Sequence, residues 1–239
     1  MTDAATDAPP AQAGPADLLE IFYAPSAVFS RRKDGKFGLP YVALVVIGLV
    51  LFFATKNLVQ PVIDSMVSAS VQKGIASGKI PAANADAAIK VSKTAVMVIP
   101  FVFFIVGPFL VGLFLWIMGK IAKVPAVGTV ALMVATFSMF PRLLGNVAGA
   151  ILVAVAPEDS ITNQAQLSIG PGHFLGANAS PILVGLAARF DLFIIWGVVL
   201  MAIGMRVAGR ASKGAAWTAA IGTWGIITLI SIAGALRNG

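Results

Sequence analysis

The amino-acid sequence predicts an all-α polytopic membrane protein. It has five transmembrane helices, an N-terminal interfacial helix, and an extramembrane helical hairpin between spans 1 and 2. Three observations carry this expectation. Only 11% of the 239 residues are charged and 58% are hydrophobic, with a mean hydropathy of +0.91. A water-soluble domain has about a quarter of its residues charged. The apolar residues also form long runs, without the two-residue alternation of an outer-membrane barrel. Finally, the basic residues gather at the ends of those runs, where membrane proteins place them to set orientation. A soluble enzyme and a disordered chain are excluded.

The same numbers bound the chemistry. Cysteine is absent, so no disulfide framework, thiolate nucleophile or cysteine-ligated metal site exists. The 17 basic and 10 acidic residues leave a formal charge of +7. This surplus does not point to nucleic acid, because no basic patch is interleaved with aromatic residues. No cofactor motif stands out.

Residues 1–16 are rich in Ala, Pro, Asp and Thr and are expected to form a disordered cytosolic tail. They lack the basic start and short apolar core of a signal peptide. Asp17 then opens an amphipathic stretch through Leu18, Ile21 and Phe22, and Pro25 suits the first turn of a second short helix. Val28 and Phe29 lead into Arg31, Arg32, Lys33 and, shortly after, Lys36. Apolar and aromatic residues beside a basic cluster fit a helix lying at the lipid surface, with Arg31, Arg32, Lys33 and Lys36 toward the headgroups.

Five apolar segments follow. Residues 37–55, 94–119 and 214–236 are uncharged runs of 19, 26 and 23 residues, near or above the roughly 20 needed to span. Residues 124–157 carry one charge, Arg142, and are broken near the middle by Pro141. The run between Asp191 and Arg206 has only 14 residues, but its ends can snorkel, and Ser180 and Pro181 offer an earlier cap and first turn. The expected spans are 38–56, 95–118, 126–155, 190–208 and 215–236, within a membrane domain of residues 17–236.

Two connections are substantial. Val59, Val62, Ile63, Met66, Val67, Val71 and Ile75 recur at helical spacing until Gly78-Lys79-Ile80-Pro81 interrupts them. Asp86 and Lys90 then lie four apart on a second helix. Residues 57–94 thus read as a projecting hairpin, and residues 157–180 as an irregular polar loop.

Several of these stretches resemble the Yip1 family of small membrane proteins. The run from Asp17 to Phe29, an apolar-aromatic stretch followed by Pro25, is similar to the family's N-terminal segment. Gly128 through Thr136, Phe137, Phe140 and Pro141 resembles its third span. Arg189-Phe190-Asp191-Leu192-Phe193, with Trp196, Leu200 and Gly204, resembles its fourth. Ala211-Ser212-Lys213-Gly214-Ala215 is similar to the small basic turn before its fifth. The resemblance implies five spans and a cytosolic N-terminus. Eukaryotic members are associated with vesicle traffic and small GTPases, but their N-terminal tails are much longer than this one. The Ala-, Gly- and Val-rich composition is of bacterial type, which implies the cytoplasmic (inner) membrane.

Few residues invite chemistry. Arg142 falls near mid-membrane, where a charge costs about 3 kcal/mol on insertion scales and needs water or a partner. It could bind an anion or lipid headgroup, or satisfy the carbonyl that Pro141 leaves free. Asn146 lies four residues further along the helix. Asp191 suits a helix N-terminus better than a proton relay. Pro108 and Pro141 interrupt two spans, as in some transporters, though prolines are tolerated in membrane helices. Ser70 and Lys73 have the spacing of a nucleophile pair without its companion motifs. Gly170, Gly172 and Gly176 miss the dinucleotide fingerprint by one residue, and His173 is a lone loop histidine.

The sequence therefore points to a non-enzymatic membrane protein acting through contacts with membrane lipids and with another membrane protein or a second copy. A small transporter or channel with a site near Pro108, Pro141 and Arg142 is the alternative. Its topology is testable because the chain has no cysteine. The short basic turns at Lys120–Lys123 and Arg206–Lys213 should face the cytosol, leaving the C-terminus and residues 57–94 outside. An impermeant thiol reagent on intact cells should label Ser77→Cys and spare Ser212→Cys; the reverse pattern inverts the assignment.

Overall fold

The structure, a computed structural model, describes residues 12–157 and 160–238. Most of the expected N-terminal tail, residues 1–11, lies outside the described residues. Among the described residues the chain is all-helical. Two short helices, α1 (Asp17–Glu20) and α2 (Pro25–Arg31), precede α3 (Gly38–Ala76) and α4 (Ala85–Ile121). The chain continues through α5 (Gly128–Ser138), α6 (Phe140–Val155), α7 (Pro181–Ala187), α8 (Leu192–Val207) and α9 (Lys213–Asn238).

Four helical segments are long and apolar enough to cross a membrane: Gly38–Ala76, Ala82–Ile121, Gly128–Val155 and Lys213–Gly234. A fifth span exists if Pro181–Phe190 and Leu192–Val207, bent by 54° at their junction, count as one. The outward apolar side chains fit this reading. Val42, Val46, Val50, Ile99, Val102, Leu110 and Leu113 are all exposed, with no protein partner covering them. The fold thus defines a polytopic helical membrane protein.

The 39 residues of α3 extend about 58 Å, roughly twice the hydrocarbon thickness of about 30 Å. Its partner α4, with 37 residues, is nearly as long. Pro61, Pro100 and Pro108 all lie inside these helices without ending them. The turn between them is capped by the chain itself. Gly78 adopts φ 71°, and the N–H groups of Lys79 and Gly78 donate back to the carbonyls of Gly74 and Ile75 at 2.9 Å each. These paired bonds form a Schellman cap, which needs a left-handed residue that glycine supplies at no steric cost. Ile80 then folds over Gly74, where a Cβ would come within 2.6 Å of its Cδ1. Lys93 Nζ lies 3.1 Å from Asp64 Oδ2, joining the two arms lower down.

The centre of the bundle is α5. Val130, Ala131, Met133, Val134, Ala135, Thr136, Phe137 and Ser138 are all buried. Phe29, Leu44, Leu115, Leu200 and Met205 belong to the same core, drawn from α2, α3, α4 and α8. The basic turns after α4 and α8 lie side by side, since Ala126 N–H donates to the Gly209 carbonyl at 3.1 Å. At the other end, Lys73 Nζ donates to the Ala177 carbonyl at 3.3 Å, linking α3 to the connection between α6 and α7.

Two expectations gain detail. The connection before α7 is largely irregular among the described residues, and it also holds two 3₁₀ turns, Gln164–Leu167 and Pro171–Phe174. Asn163 and Gln166 form a capping box on the first, and His173 Nδ1 lies 2.8 Å from the Gln166 carbonyl. The fourth expected span, 190–208, coincides closely with α8, Leu192–Val207, and what precedes it is a separate helix. Ser180 does cap a helix with Pro181 in its first turn, but that helix ends at Ala187 and the chain bends before α8.

Close approach of α8 to α5 depends on Gly197, where a Cβ would lie 2.6 Å from the Ser138 carbonyl oxygen. That neighbour is backbone and cannot rotate away. Gly197→Ala should therefore destabilise the protein by about 1–3 kcal/mol, read as a lowered unfolding midpoint in detergent. Gly225→Ala, which meets nothing within 4 Å, should leave stability unchanged or slightly raised.

Candidate functional site

Two helix breaks meet inside the bundle. The first separates α5 from α6 at Met139, with Pro141 buried in the first turn of α6. Proline fits there because its missing N–H would find no intrahelical partner. The second lies at Asp191, between the 3₁₀ turn Ala188–Phe190 and α8. Asp191 holds this break together. Its Oδ1 accepts from Phe193 N–H and Ile194 N–H at 2.9 and 3.2 Å, and its Oδ2 accepts from Ile169 N–H at 2.9 Å. It is the helix N-cap that its placement implied, extended to tie down the preceding connection.

Between the breaks lies a cavity of about 50 Å³. Ser138, Met139 and Arg142 line it from the first break, and Arg189, Phe193 and Gly197 from the second. Trp224 of α9 and Val111 of α4 complete its wall. The structure therefore brings Arg142 together with Arg189, a residue that sequence reasoning assigned only to a span end. Arg142 is partly buried, and its guanidinium carbon stands 4.9 Å from the Phe103 ring centroid, a cation–π distance. It does not bond the carbonyl freed by Pro141, as proximity in sequence had implied. Arg189 donates from Nη2 to Ser231 Oγ at 3.0 Å, while its buried Nε has no hydrogen-bond partner. Among the described residues neither arginine has an ion pair.

The other expected residues fall apart from the cavity. Asn146 is exposed and does not share the inward face of Arg142. Pro108 is buried but does not line the cavity; it is the neighbouring Gly107 that approaches the first break, since a Cβ there would lie 3.0 Å from Met139 Cε. Ser70 is exposed and Lys73 donates to Ala177, so the two form no nucleophile pair.

The N-terminal basic cluster requires a larger correction. Arg32 is 4% exposed and does not face headgroups. Its Nε donates to Asp17 Oδ2 at 2.6 Å, its other nitrogens reach the Lys36 and Gly14 carbonyls, and it stacks 5.4 Å from the Phe137 ring centroid. Arg31 bonds the second oxygen of Asp17 at 2.5 Å and also pairs with Glu20. Hydrogen bonding to Asp17, and next to Glu20, holds the Arg31 guanidinium above its ordinary range. Asp17 itself is 1% exposed, so one buried carboxylate clamps two arginines. Ile21, Val28 and Phe29 are fully buried against the bundle. Only Lys33 and Lys36 of the four basic residues are exposed.

The Yip1 domain family model matches residues 19–235, and the chain belongs to the Yip1 domain family. It is also similar to the membrane protein YknW of Bacillus subtilis (strain 168), with 39% identity over 56 residues. That alignment covers 23% of this chain and 24% of the relative's length. No solved structure matches the chain.

The clamp gives a direct test. Asp17→Asn keeps the shape but leaves Arg32 buried without a counter-charge, at a cost of about 3–5 kcal/mol. The α1–α2 segment should loosen, and trypsin should cut after Arg31 or Arg32 in detergent much faster than in the parent. Equal cleavage rates would show that the clamp does not hold the segment.

Proposed function

We propose that the protein is a non-enzymatic component of a larger membrane assembly, acting through contacts with lipids and with another membrane protein or a second copy. It sits in the cytoplasmic membrane with its N-terminus in the cytosol. The observation that supports this reading is the projecting pair formed by the ends of α3 and α4. About half of each helix exceeds what a span requires. The excess is braced by its own cap, by Ile80 on Gly74 and by the Lys93–Asp64 pair. It also presents Leu58 and Val91 outward, at 44% and 68% exposure. A braced protrusion with outward apolar residues suits a contact surface better than a linker.

Replacing residues 62–92 by a short Gly-Ser turn tests the proposal. The shortened chain should still insert in the membrane and resist extraction by carbonate. It should run on a native gel at its own size, while the parent, extracted in mild detergent, runs in a larger complex. A parent that migrates alone, or a shortened chain that assembles like the parent, would overturn the reading.

A further inference from the structure

We infer that the cavity between the two helix breaks is an anion site, held by Arg142 and Arg189 and taking a phosphate group. The phosphate could be free or part of a lipid headgroup. This inference stands independently of the assembly role. Two guanidinium groups line one cavity of about 50 Å³ inside a membrane bundle. An arginine in such a place is found paired, or facing water or a substrate path, because an isolated charge there is costly. Here each has only a weak or neutral partner: the Phe103 ring for Arg142, and the Ser231 hydroxyl for Arg189. The Nε of Arg189 is fully buried and unbonded, a donor left over after the protein's own acceptors are used.

The nearby carboxylate does not neutralise them. Both oxygens of Asp191 already accept backbone N–H groups, three in all, and it forms no ion pair with either arginine. The site therefore brings together two like charges and an unfilled donor, with the Asp191 carboxylate in the neighbourhood but in ion-pair contact with neither arginine. An exogenous anion resolves both deficits. Guanidinium groups match phosphate oxygens with paired, directional N–H donors. The volume suits a single small anionic group, since one water needs about 10–15 Å³ of such space. The remaining wall, including Val111, Phe193, Met201 and Ile227, is apolar. It would keep bulk water away and strengthen the interaction.

The test uses the full-length protein, delipidated in a neutral detergent. Its unfolding temperature is measured with inorganic phosphate, with phosphatidylglycerol, with phosphatidylcholine, and with gluconate at matched ionic strength. Phosphate or phosphatidylglycerol should raise the midpoint by roughly 5 °C or more at a hundredfold excess over Kd. Gluconate and phosphatidylcholine should not. A response to both active ligands, or to phosphate alone, assigns a free anion; a response to phosphatidylglycerol alone assigns the lipid. Arg142→Leu and Arg189→Gln should each abolish the response. Because each also removes one of two like charges, neither should melt below the anion-free parent. If a variant fails to fold, Arg142→Lys, which keeps the charge without the planar fork, should reduce the response severalfold. A parent indifferent to both ligands, a response equal to that in gluconate, or variants responding like the parent would overturn the site.

Discussion

Inside a bilayer every backbone polar group must find its partner within the protein, because no water is there to take it. Continuous helices meet this requirement by themselves; breaks in helices do not. This chain breaks two of its membrane segments, at Met139 and at Asp191, and most of its distinctive packing follows from repairing them. The first break is placed where a proline costs no hydrogen bond, at the start of α6. The second is repaired by one carboxylate that accepts three N–H groups from two elements. Gly197 lets the Ser138 carbonyl at the first break lie directly against α8, just beyond the second. The two irregularities thus share one neighbourhood, and the cavity with its two arginines is what remains between them.

Much of this was legible in the sequence, and the limit is physical. Long apolar runs pointed to the helices long and apolar enough to cross a membrane, four or five of them, because burial in lipid is a property of each segment taken alone. Asp191 and the Ser180–Pro181 start were legible for a similar reason: a cap acts on the backbone two or three residues away. What failed were readings that depended on distant partners. Arg32 looks like a headgroup residue from its neighbours, yet its partner Asp17 lies 15 residues earlier and Phe137 lies in another span. Arg189 seemed an ordinary span end. Only the fold sets it beside Arg142, because the bend before α8 turns the chain back into the bundle. The connection at 157–180 read as irregular from its polar composition, and that composition is silent on the two 3₁₀ turns within it. Its order comes from specific bonds, such as Asn163 to the Leu175 carbonyl, that composition does not encode.

The buried clamp changes what the N-terminal helices are. An interfacial helix held by headgroup attraction would respond to lipid charge and salt. Here α1 and α2 are fastened by ion pairs with less than a tenth of Asp17 or Arg32 exposed, and by Phe29 packed edge-on to Phe137. Such a contact is set by the protein and is screened little by salt. Within this N-terminal basic cluster, any influence of lipid charge falls to Lys33 and Lys36, which remain exposed. The segment is better regarded as part of the bundle's wall than as a float on the membrane.

The placement of the carboxylates sets the cavity apart. Among the described residues there are six carboxylates. Asp17 and Glu20 hold Arg31 and Arg32. Asp34 pairs with Lys36 at the surface, and Asp64 pairs with Lys93 between α3 and α4. Asp191 serves backbone N–H groups, and Asp86 is exposed on α4. Where this protein buries an arginine near its N-terminus, it provides a carboxylate within hydrogen-bonding distance. At Arg142 and Arg189, inside the bundle where an unpaired charge is costly, no carboxylate comes within ion-pair distance. A fold that pairs its buried Arg32 with Asp17 and leaves these two inward arginines without an ion pair has either accepted a standing cost or arranged for the balance to come from outside. The unbonded Nε of Arg189 favours the second, because a purely structural arginine would be expected to use its donors on the protein.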